Sequence, residues 1–185
     1  MAECEQERDM QVNLLDVLTH DGSRLHKELP LELTEVTVRG RDYPIVYKTP
    51  VDLTIVNAGK KVLELSGGCR VSVELPCDRC LKETVCEIDL AFERRLDMKL
   101  PEEERGVDLD ENAYLEGTDL DVDTLVYMEI LMNWPHKVLC SDDCAGLCSI
   151  CGKNLNEGPC GCTGQGPVDP RMAAISDIFS KYKEV

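Results

Sequence analysis

Residues 51–92, VDLTIVNAGKKVLELSGGCRVSVELPCDRCLKETVCEIDLAF, decide the fold. Val51, Leu53 and Ile55 alternate with polar neighbours, the period-two pattern of a half-buried strand. A turn at Asn57, Ala58 and Gly59 leads to a second predicted strand, Val62 to Leu65. After Gly67 and Gly68, a third strand puts Cys69, Val71, Val73 and Leu75 on one face, and a fourth does the same with Cys86, Ile88, Leu90 and Phe92. Four such segments predict an antiparallel meander with one buried side.

Upstream, Leu31, Leu33, Val36 and Val38 also alternate, with a change of phase at Thr34 and Glu35 that reads as a bulge or a break. Downstream, Asp97 to Asp123 carries eleven acidic residues against Lys99 and Arg105, interrupted by Pro101, Gly106 and Gly117. That composition predicts a solvated connector. A helix is expected from about Asp121, whose carboxylate can cap it, with Leu125, Met128, Ile130, Leu131 and Met132 as its apolar content and Trp134-Pro135 as its end. A last helix is expected to open at Asp169-Pro170, with Met172, Ile175, Phe179 and Tyr182 on one face. The predicted fold class is α+β: an antiparallel β-meander or partly closed sheet, C-terminal helices and a small cysteine-rich appendage. The expected division is a β-rich core with acidic linker and helix over residues 1–139, and a cysteine-rich segment with terminal helix over 140–185.

A chain of 185 residues is long enough for a real core, and since only 4% are aromatic, aliphatic packing must carry it. The formal net charge is −16, and each four-thiolate zinc centre would add about two further negative charges. Such a surface repels nucleic-acid phosphate at long range and attracts basic partners. No signal-peptide core or run of 18 apolar residues is present, so the sequence reads as cytoplasmic with no membrane association. In a reducing compartment eleven cysteines at short spacings read as metal ligands before disulfides.

Zinc takes four soft donors in a tetrahedron, and two thiolates separated by two residues in a tight turn can share it. Cys77-Asp-Arg-Cys80 lies between the third and fourth predicted strands and supplies half a site. Cys148-Ser-Ile-Cys151 is followed by Gly152, a residue free to take the positive φ that turns backbone N–H groups toward sulfur, and Cys160-Gly-Cys162 completes a local set of four. Cys140 and Cys144 then remain for Cys77 and Cys80. This partition uses every pair, although crossed pairings, such as Cys77 and Cys80 with Cys148 and Cys151, satisfy the spacing too. Two zinc ions are expected, with an iron–sulfur cluster as the competitor at the C-terminal set. Cys69 and Cys86 follow the apolar parity of their strands and read as packing residues; His20, His26 and His136 show no mutual ligand spacing, with His136, near Cys140, a substitute ligand against a surface or turn role.

The motif Cys77-Asp-Arg-Cys80-Leu81 after a strand, the run from Leu139-Cys140 through Cys144-Ala-Gly-Leu-Cys148-Ser-Ile-Cys151-Gly-Lys-Asn-Leu-Asn156, and Asp169-Pro-Arg171 together resemble the YceD family, from about residue 12 to 181. That family is associated with accumulation of large-subunit ribosomal RNA, and its genes often neighbour that of a small zinc-binding large-subunit ribosomal protein. Shorter members keep the first turn and a pair resembling Cys140 and Cys144 but lack the later four cysteines, which is what two separable sites would look like. The resemblance implies a non-catalytic ribosome-biogenesis factor, supporting 23S ribosomal RNA accumulation, with a large-subunit ribosomal protein or precursor ribosomal RNA as partner and no small-molecule substrate. For RNA contact, Arg70, Arg79, Lys82, Lys137 and Lys153 near the knuckles are the candidates, against the favoured reading of the same residues as outer hydrogen-bond donors to the metal ligands or as solvated charges. The alternatives are weaker. A thiol oxidoreductase would place its Cys-x-x-Cys at the start of a helix, a zinc hydrolase would leave an open coordination position, and a zinc-ribbon nucleic-acid-binding regulator conflicts with the charge.

Overall fold

The computed structural model describes residues 11–99, 113–162 and 172. The chain divides into two compact units, Met1–Leu75 with Thr84–Val138, and Pro76–Glu83 with Leu139–Val185.

The first unit is built around most of residues 51–92. Strands β1 (Gln11–Asn13), β2 (Arg24–Leu29), β3 (Glu35–Val38), β4 (Arg41–Lys48), β5 (Val51–Gly59), β6 (Val62–Pro76) and β7 (Glu83–Asp97) follow in order, with a one-turn helix α1 (Leu15–Leu18) after β1. β4 and β5 both pair antiparallel with β6, from Ile45 opposite Val73 to Gly59 opposite Val62. They therefore run end to end along β6, with β3 on β4 and β2 on β5. β7 pairs with β6 as well. Val51, Leu53 and Ile55 of β5, and Ile88, Leu90, Phe92 and Leu96 of β7, are buried in one apolar core, as period-two alternation requires.

Two expectations are corrected here. The second and third predicted strands are one strand of 15 residues, β6, and the glycine pair lies inside it. A Cβ on Gly67 would sit 2.5 Å from the Asp52 carbonyl oxygen and 2.8 Å from Phe92 Cζ, and one on Gly68 would sit 2.5 Å from the Leu90 oxygen. The glycines mark close backbone approach in a strand with neighbours on two edges, not an interruption. Gly67→Ala should accordingly lower stability by about 1–3 kcal/mol, read as an earlier denaturation midpoint with unchanged slope. The second correction concerns closure: the sheet path ends at β2 and β3, and among the described residues no strand joins those ends, so the sheet is open rather than partly closed.

The β5–β6 turn is not at Asn57–Gly59 as expected, since those residues belong to β5; it consists of Lys60 and Lys61, both at positive φ, the two-residue geometry whose twist suits a hairpin. Behind it, buried Asn57 donates from Nδ2 to the carbonyls of Val17 and His20 (2.9 and 3.1 Å) and accepts from Gly59 N–H at 2.9 Å, tying α1 to the strand end. The phase change at Thr34–Glu35 is a break: β2 ends at Leu29 and β3 starts at Glu35.

Part of the acidic connector is structured. β8 (Leu115–Glu116) and β9 (Asp119–Asp121) form a hairpin about Gly117, and β9 also pairs with β1. Residues 100–112 lie outside the described residues, as does, apart from Met172, the helix expected from Asp169. α2 (Val122–Met132) begins where predicted, with the Asp121 carboxylate accepting from Thr124 N–H at 2.9 Å. It buries Val122, Leu125, Val126, Glu129 and Ile130, whereas Leu131 and Met132 are exposed. Among the described residues it is the one helix longer than four residues, so the architecture is mostly antiparallel sheet with few helices.

Candidate metal centres

The second unit holds two knuckles of the same local construction. In the first, Leu81 N–H donates to Cys77 O at 2.9 Å and Cys77 N–H to Lys82 O at 2.8 Å. In the second, Gly152 N–H donates to Cys148 O at 2.9 Å and Cys148 N–H to Lys153 O at 2.8 Å. The residue after the second cysteine must be left-handed to close such a turn. Gly152 does this at φ +71, and Leu81 does it at φ +58 despite its side chain.

These turns gather the sulfurs into two groups, Cys77, Cys80, Cys140 and Cys144, and Cys148, Cys151, Cys160 and Cys162, with all four sulfurs of each group within 4.8 Å of one another. Cys77 and Cys144 Sγ are 3.8 Å apart, and Cys80 and Cys140 Sγ 3.5 Å. A tetrahedron with 2.3 Å zinc–sulfur bonds has edges of about 3.8 Å, whereas a disulfide is about 2.05 Å. All eight cysteines are free thiols. No crossed pairing is formed.

The electrostatics of the donors fit a cation. Burial opposes ionisation of Cys77, but N–H groups of Cys80, Arg79 and Cys140 directed at it bring the thiol down to about 6. Cys148 is brought to about 6 by the N–H groups of Cys151 and Ile150, the latter 3.4 Å from Sγ. Within the same groups, the thiols of Cys80 and Cys144 push Cys140 up to about 12, and Cys151 with burial does so to Cys162. Four sulfurs at this spacing cannot all ionise against each other, and a divalent ion removes that conflict. Each cluster could bind a metal ion such as zinc.

Around the first cluster stand two outer partners: Arg79, whose place inside the first knuckle already suggested a donor beside the ligands, and Asn156, whose part spacing did not reveal. Arg79 donates from Nη1 to Cys144 O at 2.8 Å, and its own carbonyl accepts from Leu147 N–H at 3.1 Å. Asn156 donates from Nδ2 to Cys144 Sγ at 3.3 Å while its Oδ1 accepts from Ala145 N–H at 2.7 Å. The Asn156 contact is the leading cause of the lowered pKa of Cys144. For Asn156 the sequence offered only its place in the loop between Cys151 and Cys160.

The remaining candidates fall elsewhere. Cys69 and Cys86 pack against the core of the first unit, and burial pushes the Cys69 thiol up to about 11. His136 is exposed and joins neither group. Of the basic residues, Arg70 is paired with Asp89 at 2.5 Å, Arg79 is engaged as above, Lys153 donates to Pro159 O at 3.1 Å, and Lys82 and Lys137 are exposed. Among the described residues no helix is long and apolar enough to cross a membrane.

The family model described as large ribosomal RNA subunit accumulation protein YceD matches residues 65–179, a span that contains both clusters and α2. The chain is also similar to the large ribosomal RNA subunit accumulation protein YCED homolog 1, chloroplastic, of Arabidopsis thaliana, at 30% identity over 154 residues, covering 69% of this chain and 47% of that protein. It thus spans about half the length of this relative. No solved structure matches. On the extent of these matches, the chain belongs to the YceD family, whose name ties it to accumulation of the large ribosomal RNA subunit.

Proposed function

We propose that this chain is a non-catalytic ribosome-biogenesis factor that supports accumulation of large-subunit (23S) ribosomal RNA and carries two structural zinc ions. The observation that carries this reading is the family match over residues 65–179. Cys77, Cys80, Cys140 and Cys144 hold one ion, and Cys148, Cys151, Cys160 and Cys162 the other. A full set of four protein thiolates leaves no open coordination position for a reacting water, which separates such a centre from a hydrolytic one. Zinc suits a closed tetrahedron of thiolates, and its chemistry here is to neutralise and clamp the sulfurs.

The partner that the charge favours is a basic ribosomal protein of the large subunit. At −16 before metal loading, the chain can shield such a protein until ribosomal RNA displaces it. Direct contact with precursor RNA is less favoured, because Arg70, Arg79 and Lys153 already serve intramolecular partners. The working division is the sheet-rich part over residues 1–139 and the cysteine-rich part over 140–185, the latter clamping the Cys77–Cys80 turn. Reduced thiolates suit the cytoplasm, and the chloroplastic relative makes a plastid the other compartment in which large-subunit assembly would be served.

The test is depletion in the native host followed by ribosomal-subunit profiling, together with affinity capture before and after ribonuclease treatment. Large-subunit RNA should fall relative to small-subunit RNA, and capture should return a basic large-subunit protein after ribonuclease. Unchanged large-subunit RNA removes the function, and capture that is lost with ribonuclease assigns the contact to RNA.

A further inference from the structure

Asn156 belongs by sequence to the loop between Cys151 and Cys160, inside the second cysteine set, yet its amide ends on a sulfur of the first. The loop is prepared for this. Asn154 Oδ1 accepts from Asn156 N–H at 3.1 Å and from Asn156 Nδ2 at 2.9 Å, which fixes the amide. Leu155–Glu157 forms a single 3-10 turn that starts at Asn154, Leu155 N–H donates to Gly146 O at 2.9 Å, and Leu147 bridges antiparallel to Asn154. Gly146, at φ +75, leaves a would-be Cβ only 3.2 Å from the Arg79 carbonyl oxygen, so the Cys77–Cys80 turn, the segment after Cys144 and the Cys151–Cys160 loop meet there.

We propose that the second centre is the scaffold of the first: metal held by Cys148, Cys151, Cys160 and Cys162 fixes the loop that places Asn156, and Asn156 Nδ2 completes the hydrogen bonding of the Cys144 ligand. The idea rests on the zinc reading above. A thiolate ligand whose excess charge is taken up by an N–H donor is a better-oriented ligand, and loss of such an outer partner typically weakens metal binding by about 10–100-fold. The loop between Cys151 and Cys160 spans the anchors of one ion and carries the donor for the other. Loading either centre therefore raises the affinity of the other, and linkage makes the factor the same in both directions. Asn156 is a positioning residue in this scheme, since it touches the ligand and not the ion.

The experiment uses the full zinc-loaded chain, with zinc release followed against a chromophoric chelator and 113Cd-substituted protein observed by NMR. Asn156→Asp keeps the acceptor for Ala145 N–H and removes the donor to sulfur, and Asn156→Ala removes both. Both variants should keep two metal ions at saturating zinc, release one of them about 10–100-fold faster, and shift mainly one of the two 113Cd resonances. The resonance and the fast ion should be those that disappear in Cys77→Ser. Cys160→Ser, which disables the second centre, should speed release from the first, and adding Asn156→Asp to it should add little, because the donor is already unplaced. Wild-type release from the first centre in both Asn156 variants, or accelerated loss confined to the second, overturns the coupling. Wild-type protein that binds no zinc at all overturns the zinc reading instead.

Discussion

Cys77→Ser is expected to lower the zinc content from two ions per chain to one and to unfold the part of the second unit around the first centre, while the sheet and α2 remain folded. The reason lies in what each unit buries. The first unit has a continuous aliphatic core that runs from Val12 to Ile130 and draws on β1, α2 and the large sheet. The buried apolar cluster of the second consists of Cys77, Cys80 and Cys144, with Leu139 and Cys140 packed against them, so its core is its ligand set. Structural zinc contributes an apparent binding free energy of about 10–16 kcal/mol, and without it so little apolar surface cannot offset chain entropy. Metal analysis with hydrogen exchange gives the result: one ion lost, protection lost around Cys77–Lys82 and Leu139–Cys144, protection kept in β5, β6 and α2. Retention of two ions would contradict the assignment. Acid should act in the same sense. Without metal, Cys77 and Cys148, lowered from 9.0 to about 6, contribute stability that is present above the ordinary thiol value and is lost as pH falls through about 6; a bound ion holds the thiolates ionised to lower pH still, so metal loss should follow only on further acidification.

How much of this was legible in advance follows from the range of the interactions involved. The buried faces of β5 and β7 and the cap at Asp121 depend on residues two to four apart, and spacing reveals those. The continuity of β6 through Gly67 and Gly68 depends on what lies across the sheet at Asp52, Leu90 and Phe92, and a glycine pair in isolation looks the same as a turn. The β8–β9 hairpin was hidden by its acidic residues, exposed Glu116 and half-buried Asp119 and Asp121, with Leu120 alone fully buried among its five strand residues. At the metal centres, spacing nominated the eight cysteines. Their grouping is a long-range fact, since Cys77 and Cys144 are 67 residues apart in sequence and 3.8 Å apart at sulfur. Leu81 shows the limit of residue-type rules: glycine marked the left-handed position in one knuckle, and leucine occupies it in the other because the turn's closure overrides the preference.

Arg94→Met should destabilise the first unit by about 3–5 kcal/mol, the usual cost of leaving a buried charge without its partner. Glu129 falls at i+4 from Leu125 and i+3 from Val126 on the buried face of α2, where a carboxylate would not be placed by hydrophobic patterning, and its side chain is only 4% exposed. Its ion-pair partner is Arg94 Nη2 from β7, whose side chain remains 32% exposed. The asymmetry sets the ranking of the variants. Removing the arginine strands a carboxylate away from water, whereas Glu129→Leu leaves an arginine that can still reach solvent and fills the site with apolar volume, so it should cost much less. The double variant, Arg94→Met with Glu129→Leu, should recover most of the loss, because a well-packed apolar pair often matches or exceeds a buried ion pair in stability. Since whole domains are stable by about 5–15 kcal/mol, the single arginine variant approaches the point at which the sheet and α2 separate, and denaturant midpoints of the four proteins measure the cycle directly. Equal losses for the two single variants would mean that Glu129 is hydrated in solution and that the pair contributes packing rather than charge.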